Sequence, residues 1–274
     1  MSALYIVATP IGNLKDITER AIETLQSVDW VAAEDTRHSR KLLEHYHIKA
    51  KILAYHDHNE AEVSKQLVAK MMSGETVALV SDAGTPLISD PGYRIVRLAR
   101  ESGVTIIPIP GASAMLAALS VSGLATDRFV FVGFIKKKAR KKHLQLLAQE
   151  SGTVILYEAP HRMMDLISEM LEVIGPDRTV VIARELTKRF EQVVSARLSE
   201  QRANLENGTI PIKGEFVLLI EGMRAGFDEN HADEILRLLL SELAVSKAVV
   251  LAAKLTGISR NELYQRALAL RDDS

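Results

Sequence analysis

The residues able to do chemistry fall in a few short runs. Arg184-Glu185-Leu186-Thr187-Lys188, followed by Glu191, sets cations and carboxylates side by side. A lysine desolvated near other cations sheds its proton and acts as a base, whereas a charged one steadies a developing oxyanion. The same residues equally fit plain charge pairing at the end of a strand. Glu34-Asp35-Thr36-Arg37 and His161 add further groups able to move protons or hold an anion. In Tyr55-His56-Asp57-His58-Asn59 two imidazoles flank a carboxylate, yet nothing else completes a metal site at ligand spacing, so this run reads as a loop or helix start. No metal is expected.

One run is strongly basic. Lys136-Lys137-Lys138-Ala139-Arg140-Lys141-Lys142 holds six cations in seven residues. Like charges so close repel, and a polyanion such as RNA relieves that cost. The competing reading is a solvated loop and helix start. No ladder of aromatic residues accompanies the run, so any recognition rests on phosphate and shape rather than on stacked bases.

The elements that must position these groups alternate strand and helix. Short apolar runs at 4–8, 30–33, 51–54, 76–80 and 105–107 read as strands, with helical patterns at 17–26, 39–45, 61–72, 95–101 and 112–121. That rhythm predicts a mostly parallel sheet covered on both faces. After the polar link at 122–127, strands are expected at 129–134, 154–157, 180–183, 191–195 and 216–220, with helices at 140–149, 162–174 and 198–204. We therefore expect two α/β domains, residues 1–122 and 123–224, and a helical segment 225–274. In that segment helices at 232–243, 247–255 (capped by Ser246) and 260–270 surround a turn at 256–259. The last two fit a helix-turn-helix whose Arg260, Asn261, Gln265 and Arg266 face phosphates, or a helical tail that packs on the body or on a partner subunit.

Five of the junctions carry Gly or Pro. The longest, Ser81-Asp82-Ala83-Gly84-Thr85-Pro86-Leu87-Ile88-Ser89-Asp90-Pro91-Gly92, follows the buried strand at 76–80 and precedes a helix near Tyr93. Open α/β sheets bind ligands at the carboxyl ends of their strands, although a loop this rich in Gly and Pro also serves as a tight structural turn. The others are Thr9-Pro10-Ile11-Gly12-Asn13-Leu14, 108–114, 157–162 and 213–216. None is a G-x-G-x-x-G or a G-x-x-x-x-G-K-[ST] motif.

Composition bounds the rest. The chain has 274 residues, 47% of them hydrophobic, and a net charge of -1, enough for one large core or two medium ones. With no cysteine there is neither disulfide nor thiolate chemistry. No signal peptide and no run of about 20 apolar residues is apparent, so a cytoplasmic location and no membrane contact are expected.

Taken in order, the five junctions resemble the tetrapyrrole methylase superfamily. Thr9 to Leu14, Glu34-Asp35-Thr36-Arg37, the long loop and Arg184 to Lys188 are similar to its ribosomal RNA small subunit methyltransferase I branch. The resemblance spans about residues 4–222. It implies two α/β domains with S-adenosylmethionine (SAM) held between them and S-adenosylhomocysteine as product. SAM contacts are implied at Pro10, Gly12, Asp82, Gly84, Thr85, Ser113, Ala114, Tyr157, Leu186 and Gly214. Asp82 would hold a ribose hydroxyl or the amino-acid end of SAM, unless its carboxylate only organises the loop as an Asx-turn. The implied acceptor is the 2'-hydroxyl of a decoding-region cytidine in small-subunit ribosomal RNA, reached in the assembled subunit by a homodimer. Lys188, Glu185, Asp35 and Arg184 are the catalytic candidates. Lys136, Lys137, Lys138, Arg140, Lys141 and Lys142 are the RNA-binding ones. A same-fold enzyme acting on a tetrapyrrole or diphthamide precursor, and a non-catalytic RNA-binding or assembly factor, are the alternatives.

Overall fold

A computed structural model of the chain describes residues 2–223, 229–256 and 258–272. They form two compact units, one over residues 1–222 and one over 223–274.

The first unit begins with five strands, β1 (Ala3–Val7), β2 (Trp30–Ala33), β3 (Lys51–Ala54), β4 (Val77–Val80) and β5 (Thr105–Ile109). They pair in the order β3-β2-β4-β1-β5, every pair parallel. Parallel strands require crossovers, and helices α1 (Glu19–Ser27), α2 (Thr36–His45), α3 (Glu60–Met72) and α4 (Tyr93–Glu101) supply them. One face packs Leu67, Met71, Ile95 and Ala99 of α3 and α4 against Leu4 and Leu79. The other packs Ala21, Leu25 and Leu43 of α1 and α2 against Val7, Val31 and Val80. Covered on both sides, β4 is apolar at all four positions.

Helix α5 (Ala114–Val121) leads to a second sheet, β6 (Phe129–Phe134), β7 (Thr153–Glu158), β8 (Thr179–Arg184), β9 (Gln192–Arg197) and β10 (Phe216–Ile220). Its order is β6-β7-β10-β8-β9, and only β6 and β7 run parallel. The mixed sheet follows from a short connection. Seven residues, 185–191, join β8 to β9, too few for the crossover that a parallel pair needs. One face is covered by α6 (Arg140–Ala148), α7 (Met163–Val173) and α8 (Leu198–Glu206). The opposite face, Ile155, Val181, Ala183 and Leu219, is covered by Ala118 and Leu119 of α5 and by Ile11. Each buried Leu, Ile or Val among them contributes about 1.5–3 kcal/mol. This packing brings the carboxyl ends of the first sheet's strands against the face of the second.

The smaller unit holds α9 (Glu229–Glu242), α10 (Val245–Thr256) and α11 (Arg260–Asp272) around Leu236, Val249, Ala252, Leu263 and Ala267. Helix α10 starts two residues earlier than the sequence suggests. The Ala244 carbonyl receives the first turn's N–H groups, so Ser246 lies inside the helix and does not cap it. The Ser259 hydroxyl accepts from the Glu262 N–H and opens α11. Residues 224–228, around the expected boundary of the helical segment, and Gly257 of the turn lie outside the described residues. No helix among the described residues is long and apolar enough to cross a membrane.

Candidate functional site

A cleft of about 390 Å³ opens in the first unit where the two sheets meet. Its walls are loops that follow strands. Thr9 and Gly84 exchange backbone hydrogen bonds of 2.8 and 3.0 Å, and the buried Thr9 hydroxyl donates to the Ser81 carbonyl at 3.2 Å. Thr85 donates to the Ala112 carbonyl at 3.0 Å, tying the long loop to the start of α5. In that loop Leu87 and Ser89 hold positive φ, 73° and 68°. Side chains rarely adopt this conformation, and it recurs at binding sites that hold strain.

Eight of the ten expected cofactor positions line this one cleft: Asp82, Gly84, Thr85, Ser113, Ala114, Tyr157, Leu186 and Gly214. Pro10 and Gly12 do not. They line a neighbouring cavity that shares Asp82 with the cleft. Asp82 is not free to act on a ligand alone. Its Oδ1 accepts the Asp35 N–H at 3.0 Å, so it also anchors the turn after β2. Tyr157 is fixed by the Met115 N–H, which donates to its hydroxyl at 3.0 Å, and by edge contacts with Phe131 and Phe134. Burial pushes its phenol up to about 12, so it stays neutral.

The cleft's charge is its most telling property. Five carboxyl groups line it, those of Glu34, Asp82, Asp90, Glu158 and Glu215, with no Lys, Arg or His among the lining residues. Burial, then Asp90 and Asp82, push Glu34 up to about 7. Burial, and then Asp82 and Asp57 in spite of the Ser81 hydroxyl, push Asp90 up to about 6. Neither residue was expected to touch a cofactor. The signal was in the topology: β2 neighbours β4, so a residue just after β2 faces the loop just after β4.

The run after β8 is a tight turn in which Glu185 and Thr187 both hold positive φ, 50° and 66°. Lys188 Nζ donates to Glu185 Oε1 and to Glu215 Oε2, each at 2.9 Å. Burial works against the charge of Lys188, but these two carboxylates outweigh it and raise its pKa. This pairing favours the charged form of Lys188, the second of the two roles open to it. Glu185 is likewise held below the usual carboxylate range, because hydrogen bonds from Lys188 and the Glu215 N–H outweigh its burial. Two glycines make this pair possible. A Cβ on Gly12 would collide with the Lys188 stem, its Cε 2.7 Å away, and one on Gly214 would strike the Glu185 side chain.

Arg184 and Asp35 are committed elsewhere. The Arg184 guanidinium, 8% exposed, donates to the carbonyls of Lys213 and Phe190 at 2.6 and 3.1 Å. It braces the turn rather than facing the cleft. Asp35 caps α2 and bonds Arg37, and those hydrogen bonds pull it down to about 2, too acidic for a base at neutral pH.

The basic run divides. Lys136, Lys137, Lys138, Lys141 and Lys142 are exposed, but Arg140 is 1% exposed and belongs to the interior. It forks onto Glu169 at 2.6 and 3.0 Å and lies 3.6 Å from Glu158, which also pairs with Arg162 at 3.2 Å. The expectation that Arg140 binds RNA is corrected accordingly. Helical phase explains it: Arg140 shares the inward face of α6 with Leu144 and Ala148. Lys137 and Lys141 pair with Asp165 and Glu172 at 3.0 and 2.6 Å. In the smaller unit Arg266 pairs with Glu262 and Asp233. Among the described residues no group of three or more His, Asp or Glu is arranged to hold a metal ion.

Comparison with known proteins agrees with this geometry. The family model for tetrapyrrole (corrin/porphyrin) methylases matches residues 3–201, and that for the RsmI C-terminal HTH domain matches 227–271. A protein of Escherichia coli O157:H7 named ribosomal RNA small subunit methyltransferase I is 48% identical over 269 residues, covering 97% of this chain and 94% of its own. Its namesake in Haemophilus influenzae is 49% identical over 273 residues, covering 97% and 96%. Among solved structures, uroporphyrin-III C-methyltransferase from Thermus thermophilus in complex with S-adenosylhomocysteine superposes with a TM-score of 0.57 at 19% identity. It covers 80% of this chain and 97% of its own, a likeness of fold.

Proposed function

We propose, from the premise that this chain belongs to the tetrapyrrole (corrin/porphyrin) methylase family and to its ribosomal RNA small subunit methyltransferase I branch, that it is a SAM-dependent methyltransferase of small-subunit ribosomal RNA. The acceptor is the ribose 2'-hydroxyl of a decoding-region cytidine. The observation that carries this reading is the cleft itself, where Glu34, Asp82 and Asp90 have no ion-pair partner among the described residues, while Glu158 and Glu215 of the same lining are paired with Arg140, Arg162 and Lys188. Such a wall repels dinucleotides and nucleoside triphosphates, and suits a ligand with a sulfonium and an ammonium.

The residues present fit SAM. Apolar Ile11, Ile88, Phe134, Leu186 and Val217 can flank an adenosine, while Glu34, Asp82 and Asp90 offer acceptors to hydroxyl and ammonium groups. When bound, SAM supplies an electrophilic methyl group, which the acceptor oxygen takes as it gives up its proton, leaving the neutral thioether S-adenosylhomocysteine. The chain's own part is to align and to balance charge. Lys188, paired with Glu185 and Glu215, is the cation we assign to steady the developing alkoxide, a role its charged form supports. Glu34 and Asp90, whose raised pKa values lie near neutrality, are the better proton acceptors. Lys136, Lys138 and Lys142, exposed and without a carboxylate partner among the described residues, provide phosphate contacts. The enzyme works in the cytoplasm, as a homodimer, on the assembled small subunit.

Incubating the protein with methyl-labelled SAM and small subunits from a strain lacking this modification tests the reading. Label is expected in 2'-O-methylcytidine after nuclease digestion. Label confined to protein or to small molecules, or none at all, would refute it.

A further inference from the structure

The cavity beside the cleft differs from it in the charge of its lining. It has a volume of about 310 Å³, in the range of built ligand pockets. Thr9, Pro10, Gly12 and Leu14 form one wall, and α2 forms the other through His38, Lys41, Leu42 and His45. The three basic side chains sit at i, i+3 and i+7, a spacing that puts them on one helical face. All three are exposed, and among the described residues no carboxylate pairs with Lys41. The only acidic residue in the lining is Asp82, the residue shared with the cleft.

The walls are braced. The Tyr46 hydroxyl, one residue past α2, donates to the Leu14 carbonyl at 2.6 Å and joins helix to loop at one end. At the other end Asp82 accepts from the N–H of Asp35, the residue that caps α2. The Lys188 stem lies against Gly12 in the loop wall, which brings the charged ammonium to the same neighbourhood.

We propose that this cavity receives the acceptor nucleotide of the RNA. Its phosphate lies along His38, Lys41 and His45, its sugar and base contact Pro10, Leu14 and Leu42, and its ribose reaches the Asp82 end beside the cleft. The inference rests on the functional reading above and deepens it by giving the substrate its own seat. The charge contrast decides which cavity takes which ligand: a phosphate is repelled by the cleft and drawn to α2, whereas a sulfonium has the opposite preference.

Lys41→Glu tests this against Lys65→Glu, an equal charge change on the exposed side of α3, which covers the other face of the first sheet. SAM affinity by calorimetry should match wild type in both. Small-subunit binding should fall several-fold in Lys41→Glu only, with the log–log salt slope reduced by about 0.7 to 0.9 for the lost phosphate contact. His38→Ala with His45→Ala should raise the KM for small subunits more than it lowers kcat. Leu42→Trp, which fills the cavity without changing charge, should block methylation while sparing SAM binding. Equal effects of the Lys41 and Lys65 changes, or a fully active Leu42→Trp enzyme, would overturn the proposal. If wild-type protein methylates no ribosomal RNA, the functional reading fails instead, and the binding measurements still report on the cavity.

Discussion

Replacing Arg140 by Ala distinguishes most sharply between a buried brace and a phosphate contact. The Arg140 side chain is fully buried, forked onto Glu169 at 2.6 and 3.0 Å, with Glu158 at 3.6 Å. Glu158 itself is 1% exposed at its side chain, so Arg140→Ala leaves a buried carboxylate with Arg162 alone. Breaking a buried pair in this way costs about 3–5 kcal/mol, because the charge left behind has lost both water and partner. At roughly 2–4 °C per kcal/mol for a domain of this size, Tm should drop by roughly 6–20 °C. Glu158 and Pro160 line the cleft, so SAM affinity should weaken as their support loosens. Arg140→Lys keeps the charge but not the fork and should fall between the two. Calorimetric melting and SAM titration below the melting range read these effects. RNA binding at several salt concentrations reads the alternative. A variant that melts like wild type but loses about 0.7 from the log–log salt slope would place Arg140 on phosphate and refute the argument.

SAM affinity should rise with pH between about 5 and 8, as Asp90 (about 6) and then Glu34 (about 7) become charged. Both pKa values are raised on folding, so the ligand-free protein holds these protons more tightly than the unfolded chain and loses stability as pH climbs from about 4, where the unfolded groups ionise, to about 7. Glu34→Gln should flatten the affinity profile, and a flat wild-type profile by calorimetry would count against the acidic wall. Lys188→Ala should bind SAM and small subunits normally but transfer methyl slowly in single-turnover assays, whereas a normal rate would remove it from the reaction. Gly12→Ala, whose new methyl meets the Lys188 stem, should resemble it with a smaller loss. Changing Lys136, Lys138 and Lys142 together to Ala should reduce the RNA salt slope by about 2 to 3. The same change at the paired Lys137 and Lys141 should do less, and equal slopes for the two variants would show that pairing with Asp165 and Glu172 is immaterial.

Local pattern alone determined the strands and helices. Short apolar runs such as Val77–Val80 and Phe216–Ile220 read as strands from their length and composition, and Gly or Pro marks several of the strand ends. It also determined that the ligand loops lie at strand ends, because Gly84, Pro86 and Pro91 cannot continue a strand. Tertiary packing decided what those loops enclose. Glu34 and Asp90 are 56 positions apart in the chain and meet only because β2 lies beside β4. Eight of ten expected cofactor positions converge on one cleft, but Pro10 and Gly12 turn to the cavity under α2, since the Thr9–Gly84 bridge faces the loop that way. Charge runs were the least legible. Six cations in seven residues look equivalent, yet the phase of α6 sends Arg140 inward to Glu158 and Glu169 while the lysines around it stay exposed. Lys188 shows the same limit. Its neighbours in sequence leave open whether cations or carboxylates dominate, whereas Glu215, 27 residues on and brought over by β10, joins Glu185 in favouring its charged form. Sequence spacing fixes what a residue can do, and the partners that folding brings from elsewhere in the chain fix its protonation and its access.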